Sequence, residues 1–113
     1  MRPTLLIALT LAACSKGPEA DLPAIGEARS LGAEWALVNE QQVERHVPKI
    51  FARTIRGRLR EQLQTDLSSL TRADSDYGRE MRALLSERDD ATPTVLRAHV
   101  RALKQIEDKL ESA

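Results

Sequence analysis

The sequence predicts an all-α fold, a small bundle of three to four helices behind a short export segment and a polar tether. Ala, Glu, Lys, Leu and Arg supply 58 of the 113 residues, about the half that marks helical chains when apolar spacing agrees. Apolar residues recur at steps of three and four along most of the chain, the period of a helix with one buried face. Hydrophobic residues make up 42% of the chain but include only three aromatics, Trp35, Phe51 and Tyr77, which describes a domain that folds around a thin core. After an export segment, about 100 residues remain, enough for one small domain and too few for two.

The first helix is expected over 22–44. Asp21 followed by Pro23 reads as a cap with proline in the first turn. Leu31, Trp35 and Val38 form its apolar face, beside Ala24, Ala28, Gly32 and Ala36 at strict four-residue steps. Such small side chains let another helix approach closely, and Gly32 is then either a point of close approach or a weak spot costing roughly 1 kcal/mol against alanine. Charged neighbours Glu27, Arg29 and Glu34 exclude a lipid-facing span.

His46-Val47-Pro48 breaks the chain, because the residue before a proline is driven out of helical geometry. The second helix is expected over 48–72. Val47, Phe51, Ile55, Leu59, Leu63 and Leu67 recur every four residues, so the stripe advances about 40° per step and wraps the helix. A change of partner midway accommodates this, with the Phe51 end meeting the first helix and the Leu63, Leu67 and Leu70 end meeting the C-terminal helices, as in a bundle.

Asp74 to Gly78 reads as a loop, residues 79–87 as a short third helix with Met81, Leu84 and Leu85 inward, and Arg88 to Ala91 as a second loop. Thr92-Pro93 then caps a last helix whose Leu96, His99, Leu103, Ile106 and Leu110 alternate steps of three and four. Lys104 and Asp108 sit four apart on its outer side.

The N-terminus carries the strongest signal for location. Arg2 precedes the nine-residue apolar run Leu5 to Ala13, followed at once by Cys14, the order of a secretory signal. A run that short cannot span a hydrocarbon core needing roughly 20 residues. Leu11-Ala12-Ala13-Cys14 resembles the lipobox of bacterial lipoproteins at every position, a likeness confined to residues 1–15. The resemblance implies cleavage after residue 13, a diacylglyceryl group on the Cys14 thiol and an acylated new amino terminus. Two or three chains hold a protein to a membrane, where one binds marginally. It also implies, with Ser15 rather than Asp after the cysteine, an outer-membrane anchor facing the periplasm in a source with two membranes. Cys14 is the only cysteine, so an exported form would otherwise carry one reactive thiol without a partner. Residues 1–13 are thus expected as signal peptide, 14–21 as lipidated cysteine and tether, and 22–113 as the single helical domain.

Seventeen basic residues balance seventeen acidic ones, yet the charge is polarised. Residues 45–60 hold six cations and no acid, while residues 61–91 hold eight acids against four arginines. Lys49, Arg53, Arg56 and Arg60 fall within about 60° of arc opposite Phe51, forming one basic ridge. Beside an anionic surface each cation contributes about 1 kcal/mol; the plainer reading pairs the ridge with acidic residues of the same chain. Nucleic acid is a poor target, because the ridge has no interleaved aromatics for stacking bases.

Chemistry finds little support. His46 and His99 lie far apart, no HExxH or CxxC spacing occurs, and the five glycines never cluster, so neither a metal site, a cofactor nor a phosphate loop is expected. On the last helix His99 is expected as a half-buried residue with one hydrogen-bond partner rather than a general base. Asp89-Asp90 and Asp74 with Asp76 do not fit a calcium-loop pattern and read as loop caps. The sequence therefore points to a lipid-anchored protein that binds rather than catalyses. It is foremost a protein-interaction or assembly module using the small-residue face and the wrapped stripe. The second reading is a binder of lipopolysaccharide, anionic lipid or wall polymer using the basic ridge.

Overall fold

A computed structural model describes residues 17–113; the predicted signal segment and Cys14 lie outside them. A short 3-10 turn, Pro18–Asp21, leads into four α-helices: α1 (Leu22–Val43), α2 (Lys49–Ser68), α3 (Asp76–Leu85) and α4 (Pro93–Ser112). Successive helices run antiparallel. Asn39 meets Arg56 across α1 and α2, Glu40 meets Arg97 across α1 and α4, and Arg29 meets Glu107 further along the same pair. The all-α bundle expected from composition and period is the fold, and α1 is its central element, packed against each of the other three helices.

The core follows the apolar stripes. Ile25, Ala28, Trp35 and Ala36 of α1 pack with Leu59 and Leu63 of α2, Tyr77, Met81 and Leu84 of α3, and Leu96 and Leu103 of α4. Gly32 is a point of close approach. A Cβ there would lie 2.9 Å from Val100 Cγ2 and 3.1 Å from Leu84 Cδ2, tighter than side chains normally meet. The small-residue face of α1 is thus filled from within the domain by α3 and α4.

Several local expectations need correction. Asp21 makes no capping bond to α1; its carboxylate reaches across to the α2–α3 connection instead. Its capture of the Thr71 and Arg72 backbone N–H groups draws the chain away from α2, which stops at Ser68, four residues short of the expected end. The third helix begins earlier than expected, at Asp76, because the Ser75 hydroxyl accepts from the Gly78 N–H at 3.1 Å and supplies the missing cap. The Phe51 end of α2 meets α1 as expected, through Arg56 donating to Asn39 and Gln42, but Phe51 itself stays out of the core. The inward line of α2 runs through Ala52, Leu59 and Leu63, and a stripe advancing about 40° per four-residue step puts Phe51 about 80° behind Leu59. Ala52 is fully buried in its place, and Phe51 is 50% exposed.

Two helical glycines make a paired test. A Cβ on Gly57 meets nothing within 4 Å, so Gly57→Ala should stabilise by about 0.5–1 kcal/mol through helix propensity alone. A Cβ on Gly78 would run into the backbone carbonyl of Ala73, which cannot swing aside as a side chain can. Gly78→Ala should therefore destabilise by about 1–3 kcal/mol. Thermal unfolding of the two variants checks both signs; equal shifts would contradict this packing of the first turn of α3.

A candidate binding surface at the α1–α2 end

The turn from α1 to α2 sits at the end of the bundle remote from residue 17, about 33 Å along the 22 residues of α1. It is made by a two-bond helix terminus. The His46 N–H donates to the Gln41 carbonyl at 2.8 Å and the Arg45 N–H to the Gln42 carbonyl at 3.0 Å, the bond pair of a Schellman motif. That motif places its C′ residue in left-handed geometry, where glycine is usual. Here Arg45 occupies it at φ 62°, a backbone state costing a non-glycine residue about 1–2 kcal/mol.

Just inside this end lies a buried polar knot. Asn39, 4% exposed, uses its amide nitrogen to donate to the carbonyls of Asp89 at 2.9 Å and Ala91 at 2.7 Å. Its amide oxygen accepts from Arg56 Nη1 at 3.0 Å, which also donates to Gln42 Oε1 at 2.6 Å. Trp35 Nε1 donates to the same Asp89 carbonyl at 3.1 Å. The Arg60 guanidinium stacks 4.9 Å from the centroid of the Trp35 ring and donates to the carbonyls of Leu85 and Glu87 at 2.8 and 3.0 Å. The Asp89 carboxylate lies 3.3 Å from it. One knot therefore joins α1, α2 and the α3–α4 loop.

The four residues of the predicted ridge accordingly part company. Arg56 and Arg60 turn into the domain and bind the knot, and Asp89, expected as a loop cap, supplies the carbonyl at its centre. Lys49 and Arg53 stay exposed. Among the described residues neither they nor Arg45 form an ion pair, and the nearby acid Glu44 lies 3.5 Å from His46. Around these cations stand bulky apolar side chains: Val43 is 78% exposed, Ile50 76% and Phe51 50%. Between the helix ends an open notch of about 620 Å³ is lined by Gln42, Arg45, His46, Val47, Pro48 and Lys49. The sequence reading missed Arg45, Val43 and Ile50 as surface residues. Val43 and Ile50 belong to no helical stripe, and that was the signal available.

Elsewhere the buried and half-buried groups Asp21, Asp66 and His99 are partnered within the fold. Asp21, 1% exposed, accepts from the Thr71 N–H at 2.8 Å, the Thr71 hydroxyl at 2.9 Å and the Tyr77 hydroxyl at 2.5 Å. Burial works to raise its pKa, but these bonds outweigh it and hold the carboxyl below the usual range. Burial and the Asp21 carboxylate together push the Tyr77 hydroxyl up. Gln62 donates to Glu27 at 2.7 Å and to Asp66 at 3.3 Å. Asp66 is pushed up to about 7 by burial and then by Glu27.

His99 has two partners, not the one expected. Nδ1 lies 2.5 Å from Glu80 Oε2 and Nε2 2.7 Å from Glu87 Oε2, an arrangement that suits an imidazolium donating from both nitrogens. Burial works to lower its pKa, and the two glutamates outweigh it, so the value is raised. Such a clamp suits structure better than proton transfer, since both nitrogens are spent on carboxylates. Among the described residues no group of three or more His, Cys, Asp and Glu could hold a metal ion, and no helix is long and apolar enough to cross a membrane. No known protein family, curated protein or solved structure significantly matches this chain.

The clamp gives a pH test. With a folded pKa above the ordinary value of about 6.5, the stabilisation from His99 is complete below that value and is lost as pH rises through the folded pKa. Glu87→Gln should move the midpoint of the His99 proton-NMR titration down towards about 6.5. An unchanged midpoint would show that Glu87 does not hold the ring.

Proposed function

We propose that this chain is a small lipid-anchored envelope protein that acts by binding, and that its α1–α2 end docks on an anionic surface such as lipopolysaccharide, anionic lipid or a wall polymer. Among the described residues Arg45, Lys49 and Arg53 stand exposed and without an ion-pair partner together at the α1–α2 end, while Arg56 and Arg60 of the same row are tied inward, and that observation carries the reading. In this proposal Cys14 holds the lipid, residues 15–17 ahead of the Pro18–Asp21 turn act as the tether, and Ser15 favours the periplasmic face of an outer membrane. Tethering keeps the cations at high effective concentration near the surface they meet, where each adds about 1 kcal/mol.

A protein partner is the reading the sequence put first, and it draws less support from the geometry. The small-residue face of α1 is covered by Val100 and Leu84. The α2 stripe gives Leu59 and Leu63 to the core, with Ile55 and Leu67 packed against it. Of the five large apolar side chains left exposed among the described residues, three stand at the same α1–α2 end.

The test has two arms. Labelling with an alkyne fatty acid should mark the full chain and spare Cys14→Ala; equal labelling would remove the anchor. Residues 17–113 should co-sediment with lipopolysaccharide or anionic vesicles at low salt and release near physiological ionic strength, where screening falls to about 8 Å. Lys49→Glu with Arg53→Glu should weaken that binding about tenfold or more, equivalent to about 1.4 kcal/mol, at unchanged helicity. Binding that ignores both salt and the reversal would contradict the proposal.

A further inference from the structure

We infer that the anionic surface is a phospholipid bilayer, and that Val43, Ile50 and Phe51 enter its interfacial layer while Arg45, Lys49 and Arg53 meet the head groups. This rests on the surface-binding reading above and narrows it to one occupant. Of the five large apolar side chains exposed among the described residues, three fall within 43–51, interleaved along the sequence with the free cations around the turn and the first turn of α2. A wall polymer or the sugar-phosphate face of lipopolysaccharide satisfies cations but gives exposed isoleucine and phenylalanine nothing to bury against. A bilayer interface takes both at once, apolar side chains below and cations at the head-group level.

Two further observations agree. Arg45 holds a left-handed backbone position at φ 62° that glycine would fill without strain, and a side chain kept at such a position points to use. The described chain also begins at the far end of the bundle, so an anchor at Cys14, seven residues before Asp21, and an inserting α1–α2 end would hold the domain at two separate places. Because Pro18–Asp21 is a 3-10 turn, only the four steps from Cys14 to Pro18 can extend, at most about 14 Å, which keeps the start of α1 beside the membrane. The proposed result is a domain held at both ends and fixed in orientation.

The experiment uses the full lipidated chain carrying Phe51→Trp, reconstituted into vesicles of phosphatidylcholine alone or with added phosphatidylglycerol, each with and without brominated lipid. Trp35 is 1% exposed and supplies a constant background, measured in the unsubstituted protein. The tryptophan at 51 should shift to the blue and lose most of its emission to brominated lipid in the anionic vesicles, and keep it in the neutral ones. Adding Lys49→Glu and Arg53→Glu should restore the emission. Absence of quenching, while lipopolysaccharide and anionic-vesicle binding by residues 17–113 persists, would overturn insertion and leave surface binding standing. Equal quenching in neutral vesicles would overturn the role of the cations in this insertion. Self-association abolished by Ile50→Ser, with no quenching, would assign the patch to a second copy of this chain and overturn the inference. No binding of any anionic surface would remove the underlying reading itself.

Discussion

Asn39 is the side chain on which the α1–α2 end depends. A buried amide must satisfy two donors and an acceptor, and this one does so with the carbonyls of Asp89 and Ala91 and the Arg56 guanidinium. Two segments far apart in sequence, α2 and the α3–α4 loop, are thereby fixed to α1 at one point. Trp35, one turn earlier, repeats the connection through its indole N–H to Asp89 and its ring beneath Arg60. Losing one partner of such a network leaves another buried group unsatisfied, a penalty of about 1–3 kcal/mol.

The knot also decides which charges reach solvent. Arg56 and Arg60 fall on the side of α2 that faces α1 and the α3–α4 loop, where carbonyls and amide oxygens await a donor. Lys49 and Arg53 lie nearer the start of the helix, beyond the reach of that loop, and remain exposed. Residues grouped by helical angle therefore separate by height along the helix, and the surface that results is smaller, more terminal and more apolar than a ridge. Neutral overall charge conceals this arrangement.

Much of the architecture is legible in the spacing of apolar residues. The α4 stripe delivers Leu96 and Leu103 to full burial, Thr92 caps its helix as the Thr-Pro pair implies, and the four-residue small steps of α1 end in the close contact at Gly32. What escaped was long-range and polar. Nothing local in Asp21 distinguishes a helix cap from a carboxylate accepting from Thr71 and Tyr77 some 50 residues on, and nothing local in Arg56 reveals Asn39. The Phe51 misplacement has a different origin. A four-residue period drifts against a 3.6-residue helix, so a long stripe cannot be inward at both ends, and only the partner determines which end is lost.

The central claim is that one row of cations divides into a structural half and a free half, and chemical denaturation of four single alanine variants tests it directly. Arg56→Ala and Arg60→Ala should each lower unfolding stability by about 1–3 kcal/mol, since each strips a charged donor from buried oxygens. Lys49→Ala and Arg53→Ala should stay within about 0.5 kcal/mol of the parent, as exposed surface changes do. Equal losses at all four positions, or none at Arg56 and Arg60, would contradict the account.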